Sequence, residues 1–171
     1  MTRVNLLAGD HELTPEARAV ADRIAESRGV VSRPFQLLLH SPALAERVAE
    51  LGHLVRSGSS LTDADRELVT LATGRAIGCS FVWESHLHAA TAAGISPETI
   101  ATLRRDPPGA LAKRERVLVS FVDELCGTRT VSDATFDTVR RLLGVRSVVE
   151  LALTIGYYTM LSSVMGACDE C

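Results

Sequence analysis

Three dipeptides constrain this chain more than any other feature: Thr14-Pro15, Ser41-Pro42 and Ser96-Pro97. Each sets a hydroxyl directly before a proline. Proline fits the first turn of a helix because its missing N–H would find no partner there, and the preceding hydroxyl can accept from the next free amides. The pattern therefore predicts helix starts at 15, 42 and 97. Composition points the same way. Two Tyr, four Phe and one Trp make only 4% aromatic residues, too few for a sheet-rich core, while 46% of the chain is hydrophobic. The expected class is all-α.

Reading onward from the prolines gives about eight helices. The first runs to about Arg28, with Ala17, Val20, Ala21, Ile24 and Ala25 on one stripe and Gly29 after it. Val30 to His40 reads as a turn and a short helix, broken at Arg33-Pro34. Leu44, Val48, Leu51 and Val55 recur at helical spacing up to about Ser57, and Gly58 supplies a stop. The next helix opens at Thr62, with Asp63 and Asp65 in a first turn that favours negative charge. It reaches about Ile77, and another follows from Gly78 to Ala93, closed by Gly94. Pro97 to Arg105 is short, and Asp106-Pro107-Pro108-Gly109 is the clearest linker. Helices over Leu111–Leu125, from Ser132 to Leu143 and from Ser147 to Gly166 complete the set. No strand, repeat or low-complexity tract is evident.

A formal net charge of -3 gives no support to nucleic-acid binding. The four cysteines, Cys79, Cys126, Cys168 and Cys171, are too sparse for a disulfide scaffold, and the first ten residues lack the apolar run of a secretory leader. Leu151 to Cys168 carries no charge over 18 residues, the threshold length for a membrane helix. Its Thr, Ser, Gly and Tyr content reads instead as a buried core or subunit-interface helix. The expected setting is cytoplasmic, with no membrane and no nucleic-acid partner.

Chemistry concentrates in Gly78-Cys79-Ser80-Phe81-Val82-Trp83-Glu84-Ser85-His86-Leu87-His88. Cys79 and His86, seven residues apart, fall within about 20° of one helix face but roughly 10 Å apart along its axis. They can flank a small substrate without touching. Cys79 sits just after a helix break, where a new N-terminus favours a thiolate. Glu67, twelve residues earlier, can fold back to bring carboxylate, thiol and imidazole together for proton transfer. The bland readings are a buried small hydrophobe for Cys79, a hydrogen-bonded residue for His86, a solvated or Arg66/Arg75-paired Glu67 and a core anchor for Trp83. His86 and His88 point to nearly opposite faces, so no metal set is expected. No phosphate loop or other cofactor motif is present.

Glu67, the run Cys79 to His86, and then Ala89, Ala90, Ala93 and Gly94 resemble the core motif of the carboxymuconolactone decarboxylase family, which includes the AhpD-like alkyl hydroperoxidases. Gly156-Tyr157-Tyr158-Thr159-Met160 resembles the ending of its single-cysteine members, and Ser132-Asp133-Ala134-Thr135-Phe136 fits as a helix start. The likeness spans about 35–166, leaving 1–34 as an N-terminal helical extension and 167–171 as a flexible tail. It implies an all-α AhpD-like bundle around a helical hairpin, assembled as a homo-oligomer (dimer, trimer or hexamer). It also implies Glu67, Cys79 and His86 as catalytic residues, with Phe81, Trp83, Tyr157 and Tyr158 lining a substrate pocket.

The chain departs from the AhpD pattern at two positions. The second cysteine of the motif is Val82 and the intervening histidine is Phe81, so no two-residue disulfide forms there. Cys168-Asp169-Glu170-Cys171 is itself a Cys-x-x-Cys, and on a frayed terminus it offers candidate resolving thiols for Cys79. Its neighbouring carboxylates tend to raise those thiols. Cys126 looks structural. The favoured expectation is proton-transfer chemistry, decarboxylation or isomerisation of a small carboxylated or lactone-like molecule, with His86 as general acid/base, Glu67 as its orienter and Cys79 as proton donor or nucleophile. The alternatives are a thiol-dependent peroxidase with Cys79 as peroxidatic thiol, and a non-catalytic oligomeric binding protein.

Overall fold

A computed structural model describes residues 3–105, 111–169 and 171. The expected linker at 106–109 and Glu170 lie outside the described residues. Within them the chain is all-helical, with nine α-helices against the expected count of about eight, one for each helical segment named above. These are α1 (Pro15–Arg28), α2 (Arg33–Leu38), α3 (Pro42–His53), α4 (Asp63–Ala76), α5 (Ser80–Ala92), α6 (Pro97–Leu103), α7 (Lys113–Thr128), α8 (Asp133–Leu143) and α9 (Val145–Cys168). A wider π-turn, Leu54–Gly58, extends α3.

All three Xaa-Pro starts open helices, but not all by the same device. The Thr14 hydroxyl accepts from Ala17 N–H at 3.2 Å and the Ser96 hydroxyl from Thr99 N–H at 3.0 Å. Ser41 makes no side-chain cap, its backbone lying at φ −133°, ψ 80°, outside the usual cap geometry. Thr62 and Ser132 cap α4 and α8 in the same way as Thr14.

The contacts divide the chain into two compact units. The first is Met1–Gly58 with Ser163–Glu170. Its core is Ala17, Val20, Ala21, Ile24, Phe35, Leu39 and Ala45. The Arg28 guanidinium lies 4.3 Å from the Phe35 ring centroid. Phe35, Leu39 and Ala45 share this core with α1. The end of α9 is held inside this unit. Arg3 and Val4 N–H both donate to the Cys168 carbonyl at 3.0 Å, and buried Asp169 pairs with Arg33. Cys168 and Asp169, part of the expected tail, thus bond to partners more than a hundred residues away in sequence.

The second unit, Ser59–Ser162 with Cys171, carries the larger core. Leu68, Val69, Leu71, Ala72, Leu118, Val122, Val139, Leu151 and Ile155 are all nearly inaccessible. Burial on this scale is worth roughly 1.5–3 kcal/mol per large side chain. At its centre α4 and α5 form a tight hairpin. Gly78 turns the chain at φ +68°, a conformation a Cβ disfavours. At Gly74 a Cβ would stand 3.0 Å from the Trp83 amide nitrogen, so any side chain there would push α5 from α4 by a few tenths of an ångström. The hairpin fixes the positions of Glu67, Cys79 and His86 against one another.

Candidate functional site

Glu67 on α4 and His86 on α5 face each other across the hairpin. The His86 Nδ1 to Glu67 Oε2 distance is 2.8 Å, with the carboxylate buried and the imidazole half-buried. The other carboxylate oxygen, Oε1, lies 3.5 Å from Arg66 Nε, an ion-pair distance. A carboxylate bonded to Nδ1 fixes the ring's orientation and leaves Nε2 to act outward. Tyr158 of α9 closes one side. Its ring stands edge-on to the His86 ring at 4.9 Å between centroids, and Tyr157 stands edge-on to Tyr158 at 5.3 Å. Both tyrosines are buried. The expected Glu67–His86 pairing and the approach of Tyr158 are therefore present in the geometry.

Cys79 occupies a different position. It is the N-cap of α5, makes no side-chain cap bond and is 1% exposed. Its amide donates to the Gly74 carbonyl at 2.8 Å, and its own carbonyl takes the first bond of α5, from Trp83 N–H. Its sulfur is bonded to that of Cys171, 92 residues away, with the two Cα atoms 4.7 Å apart. Of the two candidate resolving thiols, Cys171 is thus the one joined to Cys79, whereas Cys168 is a free, half-buried thiol. The Ser162 hydroxyl of α9 lies 3.2 Å from the Cys171 sulfur. Sequence reasoning had no signal for Ser162, since its role depends on where the last residue of the chain docks. Cys126, in α7, has its thiol pushed up by burial and stays protonated.

Cys79 opens on a shallow cavity of about 260 Å3 whose rim includes Arg75, Trp83, Glu84 and Arg104. Neither Glu67 nor His86 lines it. A larger cavity of about 540 Å3 shares Trp83 and Arg104 with the first and has Leu87, Ile100 and Ala101 on its walls. Trp83 is a core residue as well as a cavity wall, and its indole N–H has no hydrogen-bond partner among the described residues. Arg104 sits 5.7 Å from the Trp83 ring centroid and pairs with Glu84 at 2.7 Å. Phe81 is half-buried, lines neither cavity and uses its carbonyl to accept from Ser85. Of the four rings expected at a pocket, Trp83 lines the cavities, Tyr158 stands edge-on to His86 and Tyr157 edge-on to Tyr158, and Phe81 does neither.

A helical hairpin sets a Glu–His pair on one side and a cysteine at the next helix start, in an all-helical fold similar to that of an AhpD-like protein. Residues 42–107 match the model of the carboxymuconolactone decarboxylase family. Among solved structures, the debrominase Bmp8 in its apo form is similar at 16% identity and TM-score 0.74, over 92% of this chain and 86% of that one. A Cys-to-Ala variant of Bmp8 in complex with 2,3,4-tribromopyrrole is similar at 14% identity and TM-score 0.79, over 100% and 93%. A protein of unknown function from Agrobacterium tumefaciens, described as a candidate antioxidant defence protein AhpD, matches at 21% identity and TM-score 0.69, over 77% and 91%. These likenesses establish a shared fold. No curated protein matches the chain in sequence.

Proposed function

We propose that the protein is a thiol-dependent redox enzyme that reduces a small electrophile through Cys79 and Cys171. The observation that carries this reading is the Cys79–Cys171 bond, which joins the motif cysteine at the α5 start to the last residue of the chain. A reaction that ends in this bond begins with the Cys79 thiolate, which the first-turn amides of α5 favour. With a hydroperoxide, the thiolate attacks the terminal oxygen, the O–O bond breaks, and Cys79 becomes a sulfenic acid while the alcohol leaves with a proton. The Cys171 thiol then attacks the sulfenic sulfur, forming the disulfide and releasing water. Two electrons from an external thiol reopen it.

The neighbours' names suggest two electrophiles, a peroxide oxygen and a carbon-bound halogen. The test supplies each in turn, an alkyl hydroperoxide and a bromopyrrole, to the reduced protein. One equivalent of the right substrate consumes two thiols and leaves the Cys79–Cys171 bond. Loss of turnover in both Cys79→Ser and Cys171→Ser is expected. Full activity in either, or no thiol consumption with any electrophile, would sink the reading.

A second reading keeps support from the Glu67–His86 pair, whose 2.8 Å hydrogen bond suits proton transfer without thiol redox. A decarboxylase or isomerase acting on a small carboxylated or lactone-like molecule would lose activity in His86→Ala and retain it in Cys171→Ser. The thiol cycle predicts loss in Cys171→Ser, so that one variant separates the two.

A further inference from the structure

We propose that the external thiol reopening the Cys79–Cys171 bond enters at Cys171 and not at Cys79, with the Ser162 hydroxyl holding the Cys171 sulfur. This inference rests on the thiol cycle proposed above and assigns the side on which its reductant docks.

The two sulfurs of the bond are unequal in access. Cys79 is 1% exposed, walled in by the α4–α5 hairpin, while Cys171 is only half-buried. An attacking thiolate must line up with the S–S bond, and Cys171 is the end that offers surface. They are unequal as leaving groups too. Attack on Cys171 expels Cys79, whose thiolate lies at the α5 N-terminus among free first-turn amides, and a stabilised thiolate departs faster. Attack on Cys79 would expel Cys171 instead, and would reach its nearly inaccessible sulfur only through the shallow cavity on which Cys79 opens.

The exchange then runs in two balanced steps. A thiolate attacks the Cys171 sulfur, a mixed disulfide forms there, the Cys79–Cys171 bond breaks, and its electron pair stays on Cys79. A second thiolate attacks the outer sulfur of the mixed disulfide, releasing the oxidised reductant and leaving Cys171 as a thiolate. Two external thiols thus supply two electrons, and their protons end on Cys79 and Cys171. Ser162 acts in the second step. At 3.2 Å its hydroxyl can donate to the Cys171 sulfur as negative charge develops there.

The test uses the full-length oxidised protein carrying Cys168→Ser, so that the neighbouring thiol cannot shuffle the adduct; the protonated Cys126 thiol is a poor competitor. A substoichiometric monothiol, glutathione, is added, free thiols are alkylated after an acid quench, and peptide mass spectrometry locates the adduct. The expected result is glutathione on Cys171 and the alkyl tag on Cys79. Glutathione on Cys79 overturns the proposal. Release of the Cys171 adduct by a second equivalent should slow about tenfold in Ser162→Ala and recover in Ser162→Thr, and equal rates in all three remove Ser162 from it. An oxidised protein without any Cys79–Cys171 bond overturns the cycle itself and this inference with it, an outcome distinct from a Cys79 adduct.

Discussion

At the scale of single residues, Glu67 divides its work between holding a ring and carrying a charge. Its buried carboxylate accepts from His86 at 2.8 Å and faces Arg66 at 3.5 Å. Glu67→Gln keeps the volume and an acceptor for the imidazole while removing the charge. Glu67→Ala removes both and strands a half-buried ring nitrogen. We expect Glu67→Ala to lose about 1–3 kcal/mol of stability and Glu67→Gln about 1 kcal/mol or less. On the proton-transfer reading both should lose activity by roughly 10²- to 10⁴-fold, whereas the thiol cycle assigns Glu67 no step. Urea unfolding and steady-state rates on the same preparations check this, and a fully active Glu67→Gln would show that the pair serves packing alone. The residues of this pair were legible before any coordinates, because order and spacing along two adjacent helices carry the motif. The docking of Cys171 was not. It depends on a contact 92 residues long in sequence, which leaves no periodic trace. A carboxylate-rich terminus reads as solvated until its partner is known.

At the scale of elements, the helices were legible for a local reason: a cap is written in the four residues that make it. Thr14, Thr62, Ser96 and Ser132 announce their helices and then bond the expected amides. What local signals could not convey is how helices are stapled together. Within the second unit, Glu150 of α9 accepts from both the Ser60 amide and the Ser60 hydroxyl at 2.6 Å and pairs with Arg146 at 2.8 Å. The Ser60 hydroxyl, the Arg146 guanidinium and the Ser60 amide hold the Glu150 carboxyl down at about 2, against an ordinary value of 4.5. A carboxyl depressed on folding stabilises the protein above its ordinary value, and that contribution fades as pH falls toward the folded value. Glu150→Gln should therefore cost about 1–2 kcal/mol at neutral pH, the figure being reduced for solvent screening. The difference from the parent should shrink between pH 4.5 and 2. Urea unfolding across that range checks it, and a pH-independent difference would assign the effect to packing.

At the scale of the whole molecule, α9 is the element whose chemistry the monomer leaves incomplete. By length and composition it is apolar enough to cross a membrane, yet Val148, Leu151 and Ile155 on one side belong to the core of the second unit and Tyr158 is buried beside them in sequence. Its other side carries Val145, Val149, Leu153 and Met160, exposed by 61, 64, 46 and 37%. At 3.6 residues per turn these four fall within an arc of about 80°. Gly156 lies inside that arc, with nothing within 4 Å of where its Cβ would be. A one-sided apolar stripe on a helix already anchored by its opposite face suits a second protein surface better than lipid. We propose that it is covered by a second copy of this chain, in line with the homo-oligomer that the family resemblance implies. Light scattering on the eluted parent should then give a mass of two or more chains. Val149→Glu with Leu153→Glu should bring it to one, with helicity retained. Gly156→Ala discriminates further. In a lone exposed helix the substitution gains up to about 1 kcal/mol from propensity. Where a second helix packs over the glycine, the added methyl costs about 1–3 kcal/mol instead. A parent that elutes as a single chain, together with a stabilised Gly156→Ala, would leave the stripe without a second copy to cover it.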